Sequence, residues 1–135
     1  ELFTDLKKLF PGEEFQFEIP SPELKLNVDR TQIEQILINL LKNAREACSR
    51  KSDKKIQVKV KRLSAGNTTL TISDNGEGIL PDVLDKIFVP FFTTKTSGSG
   101  IGLSLCKQIM TLHEGSINVK SEVGKGSSFI LTFPK

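Results

Sequence analysis

The sequence has few of the features that mark membrane, secreted or disulfide-stabilised proteins. No run approaches the roughly 18 to 20 apolar residues that a membrane-spanning helix requires. The first residues do not form a signal peptide, because Lys7 and Lys8 lie inside a short amphipathic stretch and not before an apolar one. Only two cysteines are present, Cys48 and Cys106. They are too few for a disulfide scaffold, so we expect a reduced, intracellular protein.

The chain also lacks a strong charge bias. Its 135 residues are 37% hydrophobic and 26% charged, with a formal net charge of +3. This balance is ordinary for one globular domain with a single core. The mild positive charge suits a phosphate-bearing partner and is too small to indicate nucleic acid. Histidine occurs once, at His113.

Apolar residues at every second position predict the strands of a sheet that is buried on one face. The alternating residues are Phe15, Phe17 and Ile19; Leu24, Leu26 and Val28; Ile56, Val58 and Val60; Leu70 and Ile72; Ile117 and Val119; and Phe129, Leu131 and Phe133. Turn residues at 64–67 and 123–126 predict two hairpins among these strands. The sheet is therefore expected to be mostly antiparallel, with helices covering one face.

The longest helix is predicted from about Thr31 to Arg50, with Asp29 as its N-cap. Its apolar residues, including Cys48, fall within an arc of about 140° around the helix axis. Asn39 and Asn43 lie one turn apart at the edge of that arc, so the spacing aims two neutral amides toward the same place.

Two further helices are predicted. The first covers residues 2–10 and ends at a Pro-Gly pair. The other runs from about Gly100 to Leu112, and Cys106 lies on its core face. Its central apolar stripe is predicted to consist of Ile101, Leu105, Ile109 and Leu112, and Cys106 and Met110 are predicted to widen it. Both cysteines of the chain are interpreted as small apolar core residues.

Asp74 directly follows a predicted buried strand and precedes a turn containing Gly76 and Gly78. This pattern places a carboxylate acceptor at the edge of the core, and the glycines let the backbone approach a flat ligand closely. Such an acceptor suits the exocyclic amine of adenine and disfavours guanine, which has a carbonyl at that position. Turns rich in Asp and Gly also close many hairpins, so a purely structural turn stays open.

Gly98, Gly100 and Gly102 open the last predicted helix. The unpaired N–H groups and the positive dipole end of a glycine-rich helix start can bind phosphates. Lys95 and the neighbouring hydroxyl of Thr94 would lie close to phosphates held there. A flexible loop without a ligand is the alternative.

The connection from 80 to 99 is long for so short a chain. It contains Phe88, Phe91 and Phe92 within five residues. Ordered connections of this length are often functional lids, and a small hydrophobic cluster that fixes the connection in place is the alternative.

The order of these motifs resembles the N, first glycine, F and second glycine boxes of the ATP-binding catalytic domain of sensor histidine kinases. The run from Gly124 to Phe129 resembles the third glycine box of that family, in which a threonine often replaces Ser127. The match extends from about Phe15 to Pro134. It implies an α/β (α+β) two-layer sandwich, the Bergerat ATP-binding fold, in which a mixed and mostly antiparallel sheet carries helices on one face. DNA gyrase, MutL and a heat-shock chaperone share this superfamily.

The resemblance further implies Mg-ATP as the cofactor. Asn43 would bind Mg²⁺ through its amide oxygen with Asn39 assisting, which agrees with the preference of Mg²⁺ for hard oxygen ligands. Asp74 would pair with the adenine amine, and Lys95 would neutralise charge on the triphosphate. The implied catalytic residues are Asn39, Asn43 and Lys95. The implied cofactor-binding residues are Asn39, Asn43, Asp74, Gly76, Gly78, Ile79, Phe88, Thr94, Lys95, Gly98, Gly100, Ile101, Gly102, Leu103 and Ser127.

One position distinguishes branches of the superfamily. In the gyrase-like hydrolases a glutamate one helical turn before the magnesium asparagine activates water, and here that position is Asn39. An amide cannot act as a base. The resemblance therefore implies transfer of the γ-phosphoryl group to an external nucleophile, with catalysis by positioning and charge neutralisation.

The acceptor of that group is expected outside this chain. His113 ends a helix before Gly115, which indicates a structural role. Residues 1–12 are interpreted as a connector from a dimerisation hairpin that bears the acceptor histidine, and residues 13–135 as the ATP-binding domain. A downstream response regulator is the expected partner, and no nucleic acid is expected.

The isolated fragment is expected to be monomeric and its parent homodimeric. Its location is expected to be cytoplasmic, whether or not the parent is membrane-anchored. Two alternatives share the same motifs: a module that uses ATP only as a conformational ligand, and a serine kinase of the anti-sigma type.

Overall fold

The computed structural model describes residues 2–19, 29–89 and 102–134. Its helices and strands are α1 (Leu2–Leu9), β1 (Phe15–Glu18), α2 (Arg30–Ala47), β2 (Ile56–Arg62), β3 (Thr68–Asp74), α3 (Pro81–Leu84), α4 (Gly102–Leu112), β4 (Ser116–Glu122) and β5 (Gly126–Phe133). The strand predicted at Leu24, Leu26 and Val28 lies outside the described residues.

The five described strands form one sheet in the order β1-β2-β3-β5-β4. β1 pairs with β2 in parallel, and the three other pairings are antiparallel. The mixed, mostly antiparallel sheet and both predicted hairpins are confirmed. α2 lies in the connection between β1 and β2, because parallel neighbours require a crossover.

α2 covers the centre of the sheet with the apolar face that its spacing predicts. The buried residues of α2 are Ile33, Ile36, Leu37, Leu40, Leu41 and Ala44. Asp29 is the N-cap, and its Oδ1 accepts a hydrogen bond from the N–H of Gln32 at 3.1 Å. Both features agree with the sequence-based prediction, because they depend on local spacing and on capping chemistry.

The C-terminal end of α2 differs from the prediction. The helix ends at Ala47 and not at Arg50. The carbonyl of Ala47 accepts the N–H of Glu77 at 3.2 Å, so a distant segment takes up one of the carbonyls that the end of the helix leaves unpaired. A tertiary contact thus satisfies this end, which local spacing could not indicate.

The buried face of α4 agrees with the prediction only in part. Cys106, Ile109 and Met110 are buried, whereas Leu112 is 74% exposed and Leu105 only partly buried. At 100° per residue, the buried stripe is centred about 100° around the axis from the predicted central stripe, on the side where Cys106 and Met110 were predicted to widen it. α4 packs on both α2 and β4, and this position between two neighbours decides which face is buried.

α1 packs onto the rest of the domain through two buried side chains, Leu6 and Phe10. The Phe10 ring lies 5.2 Å from that of Phe15 and 5.4 Å from the guanidinium of Arg45. α1 therefore contributes directly to the single hydrophobic core.

The connection after β3 is partly helical. α3 occupies Pro81–Leu84, and Ile87 is buried in the core. The first part of the predicted loop is therefore regular structure, because proline at the first helical position favours a helix start. Across the described ranges, no helix has the length and apolar character needed to cross a membrane.

Candidate functional site

Three polar side chains form a row across neighbouring strands at one end of the sheet. Asp74 of β3 pairs with Ser127 of β5, and Ser127 pairs with Ser121 of β4. All three lie in register with the buried residues of their strands, so they belong to the face that the helices cover. An open pocket of about 310 Å³ lies at this end of the sheet, and these residues contribute to its lining.

The carboxylate of Asp74 sits in a partly desolvated position. Burial raises the pKa of Asp74 above its ordinary 3.8, and hydrogen bonds from the backbone of Gly76 and Ser127 oppose that rise. The bond from the Gly76 N–H is 2.9 Å long. Asp74 thus remains an acceptor held in a fixed direction by its own turn, as the sequence predicts for a base-binding carboxylate.

The glycines after Asp74 are required by contacts within the protein. A Cβ on Gly76 would lie 2.5 Å from the carbonyl oxygen of Ala47. Gly78 has φ +78°, and a Cβ there would overlap the backbone of Glu122. The structure shows that these glycines allow close packing against α2 and the β4–β5 turn, and their predicted approach to a flat ligand remains a prediction.

Asn75 was missed by the sequence reasoning. Its Oδ1 accepts the Lys55 N–H at 2.9 Å, and its Nδ2 donates to the Asp53 carbonyl at 2.8 Å. The side chain therefore joins the turn after Asp74 to the connection before β2. An Asn next to an Asp in a turn is such a common pattern that the sequence alone gave no signal of this role.

Ser121 was also missed. Its Oγ accepts the Ile79 N–H at 2.8 Å, donates to the Gly126 carbonyl at 3.1 Å and lies 2.8 Å from Ser127 Oγ. The alternation of Ile117 and Val119 continues to Ser121, which places a hydroxyl on the core face of β4. The alternation therefore predicts which face Ser121 occupies. It does not predict the hydrogen-bond partners of Ser121, because these depend on the strand register.

Asn39 and Gly102 are brought together, as the motif order predicts. A Cβ on Gly102 would lie 3.8 Å from Asn39 Cγ, so α4 begins beside the middle of α2. Nδ2 of Asn39 is 4.0 Å from Cys106 Sγ. Asn43, one turn later on α2, is also partly buried. A neutral amide, Asn39, therefore stands beside the start of a helix, where phosphates and a hard cation find suitable partners.

The remaining predicted residues divide into two groups. Phe88 and Leu103 are partly buried against the core, and the Phe88 ring lies 5.7 Å from Lys107 Nζ. Thr94, Lys95, Gly98, Gly100 and Ile101 lie outside the described residues, together with Phe91 and Phe92. Their predicted roles remain predictions.

His113 occupies a structural position at the end of α4. Its Nε2 accepts the N–H of Asp29 at 3.0 Å, and its Nδ1 lies 2.8 Å from the carbonyl oxygen of Ile109. Nδ1 thus fixes the ring to the end of its own helix, and Nε2 holds that end against the start of α2, in agreement with the predicted structural role.

A two-layer sandwich with a carboxylate at the end of a central strand, and with an amide beside a glycine at a helix start, defines a nucleotide-binding domain. The family of histidine kinase-, DNA gyrase B- and HSP90-like ATPases matches residues 28–135, so the chain belongs to that family.

Within this family, the chain is similar to sensor histidine kinases. The signal transduction histidine-protein kinase AtoS of Escherichia coli (strain K12) is 40% identical over 121 residues, which cover 90% of this chain and 20% of AtoS. The C4-dicarboxylate transport sensor protein DctB of Rhizobium meliloti (strain 1021) is 38% identical over 132 residues, 96% of this chain and 21% of DctB. The chain thus spans about a fifth of the length of these curated relatives.

Solved structures show the same domain. The catalytic domain of histidine kinase ThkA superposes with a TM-score of 0.85 at 35% identity, over 99% of this chain and 90% of that one. ThkA in complex with the response regulator TrrA matches with a TM-score of 0.78 at 30% identity, covering 99% of this chain and 39% of that one. These matches confirm the predicted fold and the resemblance to histidine kinase catalytic domains.

Proposed function

We propose that this domain binds Mg-ATP and, within a longer sensor histidine kinase, transfers the γ-phosphoryl group to a histidine on a separate helical domain. We base the proposal on the separation between Asp74, beside the C-terminal end of α2, and Asn39, near the middle of that helix. Asp74 lies beside the C-terminal end of α2, through the contacts of Gly76 and Glu77 with Ala47, and Asn39 lies two turns earlier. Eight residues of helix span about 12 Å, a separation suited to a nucleotide and not to a free base.

At the adenine end, Asp74 would accept a hydrogen bond from the exocyclic amine. Ile79 and Ser127 lie within the same hydrogen-bonded group of residues, which supports their predicted contact with the base. Gly76 and Gly78 support the site indirectly, since they permit the close packing that holds Asp74 in place.

At the phosphate end, the amide oxygens of Asn43 and Asn39 would hold Mg²⁺, which supplies charge neutralisation for the phosphates when bound. Both amides are partly buried on one side of α2, and Asn39 adjoins Gly102 at the start of α4. We assign Thr94, Lys95, Gly98, Gly100, Ile101 and Leu103 to the same end from their motif positions.

The identity of residue 39 supports phosphoryl transfer over hydrolysis. An amide beside the thiol of Cys106 offers no base for water activation. The acceptor would be a histidine on the dimerisation hairpin of the same protein. By analogy with the ThkA–TrrA complex, we propose a response regulator as the downstream partner. We place the domain in the cytoplasm, with residues 1–12 leading from the hairpin.

The first test is nucleotide binding. Asp74→Asn is expected to weaken Mg-ATP binding by roughly 10- to 100-fold, the effect of losing a hydrogen bond to a charged acceptor. Asp53→Asn is the matched control, because Asp53 is an exposed carboxylate in the connection before β2. Equal affinities of wild-type and Asp74→Asn protein in isothermal titration would contradict the assignment of Asp74.

The second test is transfer. The domain is mixed with γ-labelled ATP and a histidine-bearing helical hairpin supplied in trans. Acid-labile, alkali-stable label on the hairpin supports the histidine kinase. Acid-stable label on a serine of a partner protein supports the anti-sigma-type alternative, and binding without transfer supports a purely conformational module. Rapid release of free phosphate would refute the interpretation of Asn39.

A further inference from the structure

We propose that Ser121 is a positioning residue for the adenine end of the site, where it makes the hydroxyl of Ser127 an acceptor and so favours an amino group over a carbonyl on the bound base. This inference rests on the proposed function, because it concerns the nucleotide expected beside Asp74. It adds a second determinant of base selection to the carboxylate.

The hydrogen-bond chemistry around Ser121 fixes the directions of the bonds. The N–H of Ile79 can only donate, so at 2.8 Å it occupies one lone pair of Ser121 Oγ. The carbonyl of Gly126 can only accept, so at 3.1 Å it takes the single proton of Ser121. The contact of 2.8 Å between the two hydroxyls must then use the proton of Ser127. With this arrangement Ser121 uses one donor and two acceptor positions.

Ser127 is left with lone pairs and no proton to offer. It is only 6% exposed, so water cannot readily reorganise its bonding. It lies directly opposite Asp74 in the register of β3 and β5. Two acceptors therefore stand side by side at the end of the sheet. An amino group can donate to both, whereas a carbonyl oxygen in the same place meets only lone pairs.

Ser121 also fixes the position of the backbone just after Gly78. Ile79 follows Gly78, whose positive φ and close contact with Glu122 place this segment against β4. The bond from Ile79 to Ser121 holds the segment at that position. One hydroxyl thus links β4, β5 and the turn after Asp74.

The same sheet contains a matched control pair. Ser73 Oγ and Ser128 Oγ lie 2.8 Å apart, each one residue along the chain from a member of the proposed site. Because side chains alternate along a strand, this pair belongs to the face of the sheet away from the helices. Removing it deletes a similar serine–serine hydrogen bond without touching the row that contains Asp74.

The experiment compares Mg-ATP with Mg-ITP, in which a carbonyl replaces the amino group of adenine, by isothermal titration. Ser121→Ala frees the Ser127 proton, so we expect ATP affinity relative to ITP affinity to fall about 5- to 10-fold, the effect of one hydrogen bond. Ser121→Thr restores the hydroxyl on a residue that strands accommodate well, and it should restore the ratio. Ser73→Ala removes the control hydrogen bond at a residue that does not line the pocket, and it should leave the ratio at the wild-type value.

Hydrogen exchange gives a second readout that needs no nucleotide. The Ile79 amide should exchange faster in Ser121→Ala than in wild-type or Ser127→Ala protein, since only the first change removes its acceptor. An unchanged ATP-to-ITP ratio in Ser121→Ala, or an equal drop in Ser73→Ala, would overturn the inference while ATP binding by the wild type stands. Failure of the wild type to bind ATP would contradict the proposed function itself, and this inference with it.

Discussion

The ring of His113 accepts a hydrogen bond at Nε2 from the backbone N–H of Asp29, across 3.0 Å. Because an N–H can only donate, Nε2 carries no proton in this arrangement. The ring proton is then on Nδ1, which donates to the carbonyl of Ile109 at 2.8 Å. A neutral imidazole thus joins the end of α4 to the N-cap of α2, the two helices that carry Gly102 and Asn39.

Replacing His113 is expected to destabilise the fold. His113→Ala removes both hydrogen bonds and should lower the free energy of unfolding by about 1–2 kcal/mol. Urea denaturation followed by circular dichroism measures this change. Leu112→Ala is the neighbouring control, since Leu112 is 74% exposed and its loss should cost less than about 0.5 kcal/mol. Equal stabilities of the two variants would contradict the structural role of His113.

Gly126 and Gly124 should respond very differently to alanine. Both have positive φ, +124° and +83°, but a Cβ on Gly126 would overlap the carbonyl of Asp74 while one on Gly124 meets no atom within 4 Å. Gly124→Ala should therefore cost only the backbone strain of about 1–2 kcal/mol. Gly126→Ala should cost at least about 2 kcal/mol more and weaken ATP binding, because the backbone of Asp74 must move. Thermal unfolding and titration of both variants test this, and similar losses in the two would disprove the proposed overlap.

Asp74 should make the stability of the nucleotide-free domain pH-dependent. Burial raises the pKa of Asp74 above 3.8, so the folded protein holds this proton more tightly than the unfolded chain. Its contribution to stability is complete below pH 3.8 and is lost as the pH rises through the raised pKa. Asn does not titrate, so the Asp74→Asn variant does not lose this stability. The free energy of unfolding of the variant minus that of the wild type should therefore increase as the pH rises from 3.8 through the raised pKa. Urea titrations of both proteins at a series of pH values measure the difference, and a relative stability that falls with pH would contradict the prediction.

Both thiols should be unreactive in the folded domain. Burial raises the pKa of Cys106 to about 11 and also raises the pKa of Cys48. At pH 8 only about 0.1% of Cys106 would then be thiolate, the reactive form, and neither side chain is exposed. Ellman's reagent should label both cysteines in urea and neither in buffer. Rapid labelling of one thiol under native conditions would show that its helix opens locally.

The features that the sequence predicted correctly depend on short-range chemistry. The two hairpins, the cap at Asp29 and the buried face of α2 follow from spacing within one element. The position of Asp74 at the edge of the core follows from the apolar alternation before it and the glycine-containing turn after it, and its contact with a base remains a prediction. Asn39 and Gly102, far apart in the chain, were brought together by the order of motifs that a family shares.

The features that the sequence did not reveal depend on long-range packing. Leu112 was placed on the wrong face because α4 is wedged between α2 and β4. The contacts of Ser121 depend on its strand register with Ser127 and on the position of Ile79, a distant residue. The residue pattern of β4 alone predicts neither. The division at residues 12 and 13 remains a prediction, although Leu6 and Phe10 already belong to the core.

The burial of Leu6 and Phe10 has a mechanical consequence. Withdrawing two large apolar side chains from a core costs about 3–6 kcal/mol, so α1 would be detached in fewer than about one molecule in a hundred. Arg45 of α2 lies over the Phe10 ring, and Asp5 pairs with Arg30 at the start of the same helix. α1 is therefore held in a fixed position against the domain and cannot rotate freely relative to it. A displacement of α1 would therefore be transmitted both to α2, through Arg45 and Arg30, and to β1, through the contact of Phe10 with Phe15.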